Sequence, residues 1–316
     1  MIEIMKSTVT SIQQLLFTGC LLLLIGPFSY AQFVKDPYAE VYPERDFSIQ
    51  QIKEKGFQKV VVWYNEYGRE EGDEDGMQWS NYIGGYQCQK HVFPDGRLEL
   101  STYYYPTGYK EKAYQYYYLG KKVSAIDQLS FDSLQNEKVK YSYNFVYKDT
   151  IPFQKVKLHG NDKQFRIMYD YLFDKEGQLV RLQITPHGQA KKMETLVELE
   201  QDNMMILVSY SKDAKTIRYY RDLHDLIRSE RTQFTEDGKA INTRIKDGDN
   251  LLVADIGYAY EGEFLIKETH TVHDGTQLVE DKVIHYRYNG DGLMEQKIIE
   301  KGDQQIIFGY QYSEDY

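Results

Sequence analysis

His270 and His273 are the first place in this sequence where metal or acid–base chemistry would be sought. On a strand, however, residues three apart point to opposite faces, so the pair reads as two exposed strand histidines and not as a chelate. The acidic run Glu70-Glu71-Gly72-Asp73-Glu74-Asp75 offers carboxylates to calcium. It lacks the spaced ligands and terminal bidentate Glu of a calcium loop and reads as a solvated loop. Asp247-Gly248-Asp249-Asn250 is more simply a hairpin turn. No Gly-rich phosphate loop, Gly-x-Ser-x-Gly elbow, His-Glu-x-x-His helix or paired-Cys metal site occurs, so no catalytic residue, metal or cofactor is assigned. Cys88 reads as a half-buried strand residue, since a reactive thiol needs an electropositive setting. Glycoside hydrolysis needs two carboxylates about 5 to 10 Å apart. With 48 acidic residues that spacing arises by chance, so the sequence does not select a pair. Aromatic side chains that stack on sugars or apolar partners are the remaining candidates, and Trp79, Tyr103, Tyr104 and Tyr105 are assigned as binding residues. Trp63 lies in the run Val60-Val61-Val62-Trp63-Tyr64 and reads as core.

The scaffold holding these residues begins with a composition of 41% hydrophobic residues, 7 Pro and 2 Cys in 316 residues, which excludes disordered, collagen-like and disulfide-stapled proteins. A net charge of -10 argues against nucleic acid, because phosphate binding needs a surplus of Lys and Arg. The first 31 residues have the layout of a cleaved signal peptide: a basic start at Met5-Lys6, an apolar run from Leu15 to Ile25, and Ser29-Tyr30-Ala31 before Gln32. The run is shorter than the about 20 residues a transmembrane helix needs, so the chain is expected to be exported, to the periplasm, outer-membrane surface or medium. Phe17-Thr18-Gly19-Cys20 has some likeness to a lipoprotein box, but the most apolar stretch, Leu21 to Ile25, follows the Cys. With Cys20 removed, Cys88 has no partner within the chain and stability must come from burial and strand pairing.

Residues 32–56 read as an extended lead-in with Pro37 and Pro43, then one short helix opened by the capping box Ser48-Ile49-Gln50-Gln51 and closed by Gly56. From 57 to 316 strand signals dominate, as in Tyr141-Ser142-Tyr143-Asn144-Phe145-Val146-Tyr147. The chain holds 30 Tyr, and Tyr-x-Tyr pairs start at Tyr103, Tyr116, Tyr141, Tyr169, Tyr258, Tyr286 and Tyr310. Their separations are near multiples of about 12 to 14 residues, one strand plus one turn, which predicts about 18 to 22 strands. Met193 to Ile227 is harder to phase: Leu196 to Leu199 and Met204 to Val208 look like strands, and a brief helix fits Leu223 to Arg228. Alternation puts each Tyr pair on one face, where the rings pack and the hydroxyls reach water or a partner. The fold class is all-β, an antiparallel meander of short Tyr-rich hairpins forming an open twisted sheet or a barrel, with a propeller as the alternative.

Tyr286-Arg287-Tyr288-Asn289-Gly290-Asp291-Gly292-Leu293 and Tyr171-Leu172-Phe173-Asp174-Lys175-Glu176-Gly177-Gln178-Leu179 resemble the YD repeat of Rhs-type and teneurin-type secreted proteins, aromatic-x-aromatic-Asp/Asn-x-x-Gly-x-Leu. Phe93-Pro94-Asp95-Gly96-Arg97-Leu98 and Phe234-Thr235-Glu236-Asp237-Gly238 are shorter matches, similar also to MORN-like repeats of bacterial surface proteins. The resemblance implies β-meanders that wrap into shells or sheets and bind or enclose other molecules. This array is shorter than a shell needs, and no enclosed C-terminal toxin is expected beyond Tyr312. Three functions follow: a non-catalytic exported repeat protein binding a protein or glycan partner, a hydrolase of an extracellular polymer, or an outer-membrane β-barrel suggested by the alternation Ile306, Phe308, Tyr310, Tyr312. Against the last, Leu293 to Ile298 places charge where lipid would be. The first is favoured, because no motif supplies chemistry.

Overall fold

The computed structural model describes residues 48–315 apart from 71–77, 149–150, 160–161, 188–202, 223 and 275–276. The signal sequence, most of the lead-in and the strand expected at Leu196 to Leu199 lie outside the described residues, as does most of the acidic run. Helix α1 (Ile49–Lys55) forms where the capping box lies: Ser48 Oγ accepts from Gln51 N at 3.4 Å, and Gly56 ends the helix at φ 76°. Eighteen strands follow: β1 (Lys59–Glu70), β2 (Gln78–Val92), β3 (Leu100–Tyr104), β4 (Lys110–Leu119), β5 (Lys122–Phe131), β6 (Glu137–Lys148), β7 (Ile151–His159), β8 (Asp162–Phe173) and β9 (Leu179–His187) make the first half. The second half is β10 (Met204–Tyr210), β11 (Ala214–Arg221), β12 (Asp225–Phe234), β13 (Ala240–Asp247), β14 (Leu252–Glu261), β15 (Phe264–Asp274), β16 (Gln277–Tyr288), β17 (Met294–Lys301) and β18 (Gln304–Ser313). The helix expected near Leu223 to Arg228 is instead the start of β12, because Asp225, Leu226 and Arg228 pair with β11.

Each strand pairs antiparallel with the next, and β18 returns to pair with β1 over Lys59↔Ser313 to Gly68↔Gln304. The meander is therefore a closed ring of eighteen strands, which removes the sheet edges that would otherwise invite aggregation. Of the three forms open from sequence, it is the barrel.

The repeated turn explains the spacing. Asn289 Oδ1 accepts from Asp291 N and Leu293 N, both at 3.0 Å, and the chain reverses through Gly292 at φ 75°. Asp174 Oδ1 takes Gln178 N at 2.8 Å around Gly177, and Asp247 Oδ1 takes Leu251 N at 2.9 Å around Asn250. The Asp/Asn-x-x-Gly-x-Leu pattern thus has a physical basis: a side chain that caps the turn, a residue free to adopt positive φ, and an apolar residue returned to the wall, as Leu293 is at 1% exposed. This turn closes hairpins at both ends of the barrel.

Alternation then sorts the side chains. Tyr141, Tyr143 and Phe145 are buried while Asn144 and Val146 are exposed. Tyr116, Ile126, Tyr143, Lys157 and Ile167 form one inward row across β4 to β8, all buried. Among the described residues, buried apolar side chains fall into four clusters around the ring; the largest takes in Ile52 of α1 with Val60, Phe93 and Leu98 and so seats the helix at one end. Eighteen strands enclose more than one layer of side chains fills, as the about eight strands of a filled barrel show, and the clusters line the wall accordingly.

Candidate functional site

The Tyr pairs fasten neighbouring strands at the α1 end. Tyr118 donates to Leu98 O at 2.8 Å, Tyr147 to Val123 O at 2.7 Å, Tyr288 to Leu265 O at 3.0 Å and Tyr312 to Met294 O at 2.7 Å. In each case the phenol at the end of one strand takes a carbonyl at or just before the start of the preceding strand, so the hydroxyl expected to meet water or a partner is used within the wall.

Charge on the inner face is mostly cationic. Among the described residues, Lys155, Lys157, Lys215, Lys282 and Lys297 are buried, with Glu268 the buried acid, in a chain of net charge -10. Tyrosine rings make two of these lysines tolerable. Lys155 Nζ lies 3.6 Å from the centroid of Tyr169 and Lys157 Nζ 4.3 Å from that of Tyr141, so ring quadrupoles replace part of the lost hydration. Burial holds Lys215 down to about pKa 8 despite the opposing charge of Glu230.

Glu268 Oε2 meets His270 Nε2 at 2.7 Å, and Glu268 Oε1 accepts from Tyr286 at 2.9 Å. Here the structure corrects the sequence reading: His270 is 4% exposed, because β15 turns it inward opposite Ile256 and Lys282. His273, beyond a register shift at Val272/His273, is half-buried. A carboxylate between a phenol and an imidazole has acid–base character, but Glu268 is 2% exposed, so substrate has no access to it. The cluster pairs buried polar groups with one another and ties β15 to β16. Among the described residues no three His, Cys, Asp or Glu side chains converge on a metal-sized site. Cys88 is buried, its thiol donates to Val62 O at 3.3 Å, and burial pushes its pKa up to about 12, so it is not a nucleophile at neutral pH.

The assigned binding residues separate. Tyr103 points inward at 7% exposed, edge-on to His91 and Tyr114. Tyr104, past the register shift at Tyr103/Tyr104, is half-buried and hydrogen-bonds Thr102 and Gln87. Tyr105 is 51% exposed in the β3–β4 turn. Trp79 pairs with Arg69 through its backbone, and its side chain lies outside the described residues.

Trp63 is a second correction. It is 38% exposed on the outer face, and its Nε1 donates to Gln311 Oε1 at 3.3 Å. Val60 and Val62 are buried, at 0% and 1% exposed, so the period of two turns Trp63 out. The outer face is mixed, with exposed apolar residues such as Tyr117, Val146, Leu172 and Ile241 and with polar rows between them. Ser209, Thr216, Arg231, Arg244, Asp255 and Thr271 form one row across β10 to β15. Arg244 Nε lies 3.4 Å from Asp255 Oδ2, and Gln115, Asp127 and Ser142 form a similar row across β4 to β6.

No family model matches this chain, and no curated protein matches it. Among solved structures, it is similar to TcdB2-TccC3, with 10% identity and a TM-score of 0.33 over 75% of this chain, which spans 15% of that one. A porin-like protein from Bacteroides vulgatus is similar at 10% identity and TM-score 0.32, covering 62% of this chain and 95% of that one. A porin-like protein from Bacteroides uniformis gives 11% identity and TM-score 0.26, covering 81% and 96%.

Proposed function

We propose that this chain is an exported, envelope-associated barrel without a catalytic role, which stands in water and binds a protein or glycan partner across its outer face. The observation that carries the reading is the set of exposed arginines on the outer wall. Arg166, Arg181, Arg218, Arg231 and Arg244 project from five strands of β8 to β13 and are exposed. In a lipid-facing barrel wall an Arg near the bilayer midplane costs about 2 to 4 kcal/mol, so a band holding several of them would not insert. The tyrosine ladder packs inward while these arginines face outward, which is not the sidedness of a membrane barrel. A polymer hydrolase would need accessible, converging carboxylates; on the inner wall Glu268 is sealed, Glu230 is paired with Arg228 at 2.8 Å and Glu66 accepts from Tyr64 at 2.8 Å.

The test is extraction of cells expressing the full chain. Release by osmotic shock or recovery from the medium without detergent is expected. Retention in the membrane pellet until detergent is added would overturn the reading in favour of the outer-membrane barrel.

A further inference from the structure

The register places a continuous row on the outer face that combines an aromatic platform, planar amides and a cation. Gln87 pairs with Trp63, Trp63 with Gly309, Gly309 with Gln296, and Gln296 with Arg287, so the row crosses β2, β1, β18, β17 and β16. At its centre Gly309 leaves the neighbouring position empty, since a Cβ there would meet nothing within 4 Å. The indole of Trp63 therefore stands beside open space, held from its edge by Gln311 Oε1 at 3.3 Å. Tyr104 joins the other end of the row through its hydrogen bond to Gln87.

Arg287 is exposed and gives one N–H to Gln296 Oε1 at 3.2 Å, which orients the guanidinium along the row. A guanidinium carries five N–H donors in a planar fork, so donors remain for a carboxylate. On the same outward face His285 pairs in register with Lys267, and Glu300 Oε2 lies 3.8 Å from His285 Nε2. Arg287 thus supplies a cation at this end of the row, with Lys267 and Glu300 on the neighbouring strands.

From this row we infer a binding site for a linear acidic polysaccharide, with one sugar ring stacked on Trp63 and a uronate carboxylate held by Arg287. Three strand spacings separate the two residues, about 14 Å, a distance a short oligosaccharide spans along the row. The apolar face of a pyranose covers an indole, and Gln87, Gln296 and Gln311 supply donors and acceptors for ring hydroxyls. The remaining donors of Arg287 select a carboxylate at that end of the row, which favours an acidic polymer over a neutral one there. The inference rests on the proposed partner-binding role and narrows it to one class of glycan.

Affinity electrophoresis of the full chain through gels containing polygalacturonate, with dextran as the neutral control, tests it. Retardation by polygalacturonate and not by dextran is expected. Trp63→Ala should weaken retardation at least about tenfold, the loss typical of truncating a central aromatic anchor. Arg287→Ala should weaken it several-fold and remove its dependence on salt. Gly309→Val keeps the indole and fills the open space beside it, and should also weaken binding; all three positions are on the outer surface, so unchanged thermal unfolding confirms folded variants. An unretarded wild type, or equal retardation of wild type and all three variants, overturns the site. Neither result bears on detergent-free extraction, so the site can fail while the water-facing barrel stands.

Discussion

Lys215 gives the account its most quantitative test. Its ammonium is carried inward by β11, where it is 4% exposed and lies opposite Tyr210 and Thr232 in register. Burial lowers its pKa from 10.5 to about 8, and Glu230 offsets only part of that. Between those values the unfolded chain holds the proton and the native chain does not, so native stability must rise with pH across about pH 8 to 10.5. At about 1.4 kcal/mol per pH unit, the gain from this group over that span is about 3.5 kcal/mol. Lys215→Met keeps the stem and removes the charge. Urea unfolding of both proteins at intervals from pH 7 to 10 should show the variant more stable at pH 7 by a comparable amount, with the difference shrinking as pH rises above 8. Using the difference between proteins cancels the tyrosine titrations, which would otherwise dominate near pH 10. A difference that stays flat from pH 7 to 10 would refute the claim that a charged lysine is held dry in this wall.

Other consequences are more local. Tyr288→Phe and Tyr312→Phe each remove a hydroxyl that satisfies a carbonyl at the α1 end, and each should cost about 1 kcal/mol in urea unfolding. Gly238→Ala meets no neighbour and should cost only the about 1 kcal/mol of a strained positive φ. Gly292→Ala should lower the melting temperature further, because its Cβ would lie 3.1 Å from Phe264 Cζ. Cys88 should resist thiol reagents at pH 8 in the native protein and react on addition of urea; rapid native labelling would contradict its burial.

Much of this wall was legible because its signals are local. Asp174, Gly177, Asn289 and Gly292 announce turns by chemistry confined to five residues, and Tyr141 to Tyr147 states its own inward phase. Closure was not legible, since the pairing of β1 with β18 joins residues some 250 positions apart and nothing in either strand specifies its partner. The inward turn of His270 follows from the phase of β15, which has no aromatic ladder to set it. The outward turn of Trp63 was available: Val60 and Val62 share one face, and Trp63 must take the other, but a run of apolar residues obscured the alternation. The buried lysines left no trace, because Lys155 becomes tolerable only when Tyr169 of the next strand covers it.

The sidedness of the wall can be measured directly by placing single cysteines in a Cys88→Ala background and labelling whole-cell and shock-released protein with a water-soluble maleimide. Positions 218 and 244, outward on β11 and β13, should label at rates close to those of the unfolded chain, while 126 and 284, inward on β5 and β16, should be protected. Protection of 218 and 244 together with labelling of 126 and 284 would contradict the water-facing barrel and indicate an outer wall buried in lipid.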